Sequence, residues 1–192
     1  ETFIVNSTVN NMVQLEFTKV REVKSPSRAN AGDAGLDFHI PHLTAEDILN
    51  VSINRNMWEY RRIQIISDQN KIWAELQPHA RILIPSGIRV LINPRESMLM
   101  AANKSGVSTK EGLIYTAEIV DSPYTGEMHI GILNTNPYVV RIPLDSDKKL
   151  MQFIHVPIIL STPVEITLGE YEEKAKDWGT RGDKGFGAHD NK

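Results

Sequence analysis

The strongest constraint on this chain is how short its apolar runs are and how regularly they are interrupted. Met12 to Val20 alternates, with Val13, Leu15 and Phe17 on one side and Gln14, Glu16 and Thr18 on the other. That period of two is the mark of a half-buried strand. Ile82 to Ile84 and Ile88 to Ile92 form two further β-rich runs, and Pro85-Ser86-Gly87 between them predicts a turn. Glu127 to Leu133 alternates again, while Tyr138 to Ile142 and Leu150 to Leu160 are rich in Val, Ile and Phe. Short β-rich segments separated by Pro, Gly and Asn predict an all-β sandwich or barrel. No strand–helix–strand rhythm and no internal repeat is present.

Two segments break the pattern. Residues 42–76 hold a short helix opened by Thr44 with Asp47 three residues on, the spacing of a capping box. A second helical patch over Asn56 to Arg62, then a turn at Asp68-Gln69-Asn70 and a strand at Ile72-Trp73, complete what reads as an insertion in a β scaffold. At the other end, Trp178 to Lys192 is glycine-rich and polar, with too little apolar content to order itself. The expected organisation is a β domain over 1–178, with the insertion at about 42–76, and a flexible arm over 179–192.

With 192 residues the chain can bury a real core. The net charge of −3 argues against a nucleic-acid surface, so no direct nucleic-acid binding is expected. There is no cysteine, which removes disulfide and thiolate chemistry. No apolar stretch reaches membrane-spanning length, and the first residues lack a signal-peptide layout, so a cytoplasmic protein is expected, or a nuclear, organellar or, if viral, host-cytoplasmic one. The sequons at Asn6, Asn50 and Asn103 are then chance matches.

Four segments concentrate glycine and charge: Ala31 to Phe38, Lys104 to Gly112, Asp121 to Glu127, and Arg181 to Gly187. Lys149 to Ile154 lies between the last two. Asp121 follows Ile119-Val120 and should close a strand, with its carboxylate held firmly. It reads either as a turn-capping residue or as a base that activates water. Ser105 and Gly106 suit a phosphate cradle, since a hydroxyl and unobstructed N–H groups can face one anion. Arg181 offers a fork for a terminal phosphate and Phe186 a ring for stacking over a base.

In this order the segments resemble the five motifs of the trimeric dUTP pyrophosphatases. Ala34-Gly35-Leu36-Asp37 is similar to the first motif and Lys104-Ser105-Gly106 to the second. Asp121-x-x-Tyr124-x-Gly126 is similar to the third, Lys149-x-x-Gln152-Phe153 to the fourth, and Arg181-Gly182-x-x-Gly185-Phe186-Gly187 to the fifth. The resemblance implies a jelly-roll-like β-sandwich or distorted barrel, closed into a homotrimer with active sites between subunits. It implies hydrolysis of dUTP to dUMP and pyrophosphate by water attack at the α-phosphorus, which limits uracil in DNA and supplies dUMP.

It further implies Asp121 as the base and Tyr124 beneath the deoxyribose, where it excludes a 2′-hydroxyl. Lys104, Ser105, Gly106, Gln152, Arg181, Gly185, Phe186 and Gly187 would bind substrate. A Mg2+ cofactor is implied, with Asp37 ordering water around it or pairing with a nearby basic residue. The backbone of Leu113 to Ala117 would read uracil. Three departures stand out: Lys104 where the family has Arg, Glu118 three residues before Asp121 where it has Gly, and Ala188-His189-Asp190 after the last motif. Arg95 gives an alternative register for the basic residue of the second motif. A dCTP deaminase would need a Glu in the strand Met128 to Leu133, which has none. The same motifs would also serve a bifunctional dCTP/dUTP pyrophosphatase or a nucleotide-binding regulatory protein.

Overall fold

The computed structural model describes residues 14–54, 62–68, 71–144 and 146–179. Its elements follow the short-run pattern. There are eleven strands among the described residues: β1 (Glu16–Lys19), β2 (Leu36–Asp37), β3 (Ile63–Asp68), β4 (Lys71–Leu76), β5 (Arg81–Leu91), β6 (Ser97–Asn103), β7 (Leu113–Tyr115), β8 (Ile119–Asp121), β9 (Glu127–Asn134), β10 (Val140–Pro143) and β11 (Met151–Pro157). Three helices accompany them: α1 (Ala45–Asn54), α2 (Ser105–Glu111) and α3 (Leu168–Trp178).

The strands form three antiparallel sheets, in the orders β1-β5-β9-β7, β2-β11-β6-β8 and β10-β4-β3. The all-β expectation is met, but among the described residues the sheets do not close into a barrel. Alternate residues point into one core that includes Phe38, Ile40, Ile82, Ile84, Leu99, Ile130 and Phe153. The rings of Phe38 and Phe153 meet edge-on with centroids 4.7 Å apart, which locks β2 onto β11.

Two strand expectations need correction. Pro85-Ser86-Gly87 is not a turn between strands but a bulge inside the single strand β5. Pro85 pairs with His129 and Arg89 with Glu127, so four steps on β5 (89 − 85) face two on β9 (129 − 127). The two extra residues are an even number, so Ile84, Ile88 and Val90 keep facing the core. Ser86 fills the gap by accepting from the Ile88 N–H at 3.2 Å, and Gly87 takes φ +72°. The second correction concerns Met12 to Val20. Its strand, β1, is a sheet edge whose four residues are all exposed, because it has a single neighbour, β5. Val13 lies outside the described residues.

The helix opened by Thr44 and the strand at Ile72-Trp73 are both present. Thr44 donates its N–H to Asp47 Oδ2 at 2.8 Å, and the Asp47 N–H donates to Thr44 Oγ1 at 3.2 Å, a reciprocal cap on α1. The hairpin strands β3 and β4 add to β10. The helical patch at 56–62 lies outside the described residues except for Arg62, as does the turn tip at 69–70.

The chain divides into two units, Glu1–Ile159 and Leu160–Lys192. In the second, α3 carries its own capping box between Thr167 and Glu170. Sequence patterning did not single out this helix, because it buries no residue and so leaves no core-facing stripe.

Candidate active site

Asp121 is the last residue of β8, where antiparallel pairing sets it opposite Met98 of β6 and leaves its side chain exposed. The chain then turns. The Tyr124 N–H donates to Asp121 O at 3.0 Å, and Ser122 Oγ donates to Arg95 O at 2.9 Å. The Tyr124 hydroxyl donates to Glu127 O at 2.7 Å, which lays the ring across Gly126. A Cβ on Gly126 would stand 2.8 Å from Tyr124 Cζ, so the ring's position requires glycine two residues on. The spacing of Tyr124 and Gly126 in the third motif therefore has a steric cause within the chain.

A second group forms at the other end of β6. Asp37 is buried, and it bonds to Lys104 through Oδ1 and to Lys149 through Oδ2, the latter at 3.1 Å. Burial alone would raise its pKa, but the two ammonium groups more than offset that and hold the carboxyl below its ordinary value. Gln152 pairs with Asp37 across β11 and β2, and its Nε2 donates to Asn103 O at 3.0 Å. Gly35 makes room for it, since a Cβ there would lie 2.1 Å from Gln152 Oε1. The first, second and fourth motifs thus converge.

Lys104 is the residue before α2, and Gly112 ends that helix at φ +63°. Gly112 also lies against the Asn136 side chain, 2.5 Å from where its Cβ would be. The first N–H groups of a helix have no acceptor within it, so the exposed Ser105 and Gly106 suit an anion. A Cβ on Gly106 would meet nothing within 4 Å, so packing inside this chain does not explain that glycine.

The two groups lie toward opposite ends of β6. Asp121 stands opposite Met98, while Lys104 follows Asn103, five residues further along the strand. At about 3.3 Å per residue that is a separation of roughly 17 Å.

The Leu113 to Ala117 stretch is partly committed. The Tyr115 N–H donates to Asn103 Oδ1 at 3.0 Å and the Thr116 N–H to Gly131 O at 3.1 Å. Asn103 supports both this hairpin and Gln152, a role that neither its sequon nor its place just before Lys104 signalled. Arg181, Gly185, Phe186 and Gly187 lie outside the described residues.

Both oxygens of Asp37 are engaged by lysines, and among the described residues no group of three or more His, Cys, Asp or Glu could hold an ion. Among them, too, no helix is long and apolar enough to cross a membrane.

Fold and site together define an all-β protein of the dUTPase fold. A point-substituted form of the Staphylococcus phage 80α dUTPase superposes with a TM-score of 0.63 at 19% identity, over 93% of this chain and 99% of that one. The dUTPase of phage phi11 of S. aureus gives 0.57 at 18%, over 80% and 96%; a point-substituted form of it coordinates a structural Mg(II) ion. The deoxyuridine 5′-triphosphate nucleotidohydrolase of Mycolicibacterium vanbaalenii is 28% identical over 170 residues, 88% of each chain. The Mycobacterium tuberculosis enzyme of that name is 26% identical over 165 residues, 85% of each. No protein-family model matches the chain. The curated relatives that this chain resembles over most of its length are deoxyuridine triphosphate nucleotidohydrolases, and the solved structures that share its fold are dUTPases.

Proposed function

We propose that this chain hydrolyses dUTP to dUMP and pyrophosphate. The observation that carries the proposal is the turn from Asp121 to Gly126, where an exposed carboxylate and a ring fixed on glycine stand side by side. Asp121 accepts a proton from water as the water oxygen bonds to the α-phosphorus. The bond from that phosphorus to the bridging oxygen breaks, and pyrophosphate leaves with the electron pair. Tyr124 lies beneath the deoxyribose and collides with a 2′-hydroxyl, which disfavours ribonucleotides.

The phosphates meet Lys104, Ser105, Gly106 and Gln152. Asp37 holds Lys104 and Lys149 in place through one oxygen each. Magnesium arrives with the triphosphate, as part of the substrate. The separation of about 17 Å between the two groups along β6 favours sites shared between copies, in a homotrimer of about 65 kDa (three times 21.6 kDa). The arm over 179–192 then contributes Arg181, Gly185, Phe186 and Gly187 to the phosphates and the base.

The test is purified protein incubated separately with dUTP, dCTP and dTTP plus magnesium, with pyrophosphate measured. Release from dUTP alone is the expected result, and none from dUTP overturns the proposal.

A further inference from the structure

Arg21 is a residue that no motif includes, yet it bonds the side chain of Glu127, whose backbone carbonyl accepts the Tyr124 hydroxyl. Its Nε donates to Glu127 Oε1 at 2.8 Å and its Nη2 to Oε2 at 3.4 Å, a two-pronged contact. Its remaining nitrogen, Nη1, donates to Asp47 Oδ1 in the first turn of α1 at 2.7 Å. Glu127 Oε1 also accepts from the Gly87 N–H at 2.8 Å, in the bulge of β5. Arg21 is itself seated against that bulge: the Val20 N–H donates to Gly87 O at 2.8 Å, and a Cβ on Gly87 would be 3.0 Å from Arg21 Cβ. The Glu127 side chain is 16% exposed, so its charge is largely removed from water and depends on these donors.

The geometry points to Arg21 as a positioning residue for nucleotide selection. It fixes Glu127, whose own carbonyl receives the Tyr124 hydroxyl, and so sets where the Tyr124 ring stops against Gly126. The inference rests on the proposed hydrolysis of dUTP, and deepens it by naming what holds the ring that excludes a ribose. Through Asp47 the same guanidinium joins the first turn of α1 to Glu127. The bulge in β5 has a role here too: its extra residues turn the Gly87 N–H toward Glu127, a contact that a regular ladder pairing would not make.

Arg21→Lys is the discriminating variant. A single ammonium keeps the charge but cannot span two oxygens of Glu127 and one of Asp47. A merely structural loss would lower melting temperature and active fraction equally for every substrate. A positioning loss instead shifts the ratio of kcat/KM for dUTP to that for UTP. We expect this ratio to fall about tenfold, within the roughly hundredfold that a 1 Å misplacement can cause. Glu127→Gln, which keeps the shape, should lower it in the same direction, and is the variant to read if Arg21→Lys does not fold. Fluorine NMR of protein labelled with 3-fluorotyrosine, with the Tyr124 signal assigned by its loss in Tyr124→Phe, reports the ring independently of turnover. That signal should move in the variant. A folded variant with an unchanged ratio overturns the inference. Wild-type protein inactive on dUTP would instead overturn the proposed function, and an unmoved Tyr124 signal would then decide against Arg21 on its own.

Discussion

Gly126→Ala isolates the steric rule beneath the third motif. The backbone there is not in the left-handed region, so alanine itself meets no strain; the new methyl meets the ring. Its Cβ would lie 2.7 Å from Tyr124 Oη, 2.8 Å from Cζ and 3.1 Å from Cε2. Ordinary contact begins at 3.4 Å, so the ring must retreat by 0.6 Å at Cζ (3.4 − 2.8). That movement strains or breaks the 2.7 Å bond from the Tyr124 hydroxyl to Glu127 O. A lost neutral hydrogen bond costs about 0.5–1.5 kcal/mol, and Tyr124 is 37% exposed, so water replaces part of it. A fall in melting temperature of about 2–4 °C is expected for a chain of this size. The effect on turnover should be larger. A displacement near 1 Å can cost about a hundredfold, so a shorter one argues for roughly tenfold on dUTP. Differential scanning fluorimetry and pyrophosphate release measure the two. The control is the same substitution in a Tyr124→Ala background, where the methyl has nothing to strike and its stability penalty should vanish. An equal penalty with and without the ring would refute the steric argument, as would wild-type turnover in Gly126→Ala.

Asp121→Asn keeps the shape of the proposed base while removing its proton affinity, and should lower turnover by about 10²–10⁴-fold with dUTP binding retained in calorimetry. Near-wild-type turnover would move the base elsewhere. Asp37→Asn leaves Lys104 and Lys149 without their shared counter-charge. Because both lysines are partly exposed, the expected loss is about 1–3 kcal/mol, below that of a fully buried pair, with a raised KM for dUTP. An unchanged KM would show that the lysines do not depend on Asp37. Stability should also fall with pH in two stages. Burial lowers the pKa of His39 and His155 in the folded state, so the unfolded chain takes up protons first and stability declines below about pH 6.5. Against the opposing effect of burial, lysines hold Asp37 and Asp147 below 3.8, and Thr44 with Arg21 does the same for Asp47. Their contribution is present above that value and lost as pH falls through the lower folded ones. Denaturant titrations at stepped pH would show both stages, and a flat profile from about pH 7 to 5 would rule out the histidine stage.

The local chemistry of this chain was legible in its sequence wherever near neighbours decide the outcome. Alternation located β9, richness in Val, Ile and Phe located β11, Thr44 and Asp47 located the start of α1, and the apolar Ile119-Val120 put Asp121 at a strand end. Tyr124 and Gly126 form another such case, since ring and glycine are two residues apart and touch. Pro85-Ser86-Gly87 carries the same residues whether it reverses the chain or bulges a strand. Only the pairing of β5 with β9 on both sides of it selects the bulge. Likewise no local pattern brings Lys104 and Lys149 to one carboxylate, or Arg21 to Glu127 across 106 positions. Those contacts exist because three sheets share one core, and sequence spacing carries no record of which distant strands will become neighbours. Tertiary structure alone also set the proposed base and the lysine pair toward opposite ends of β6, with Asp121 facing Met98 and Lys104 following Asn103.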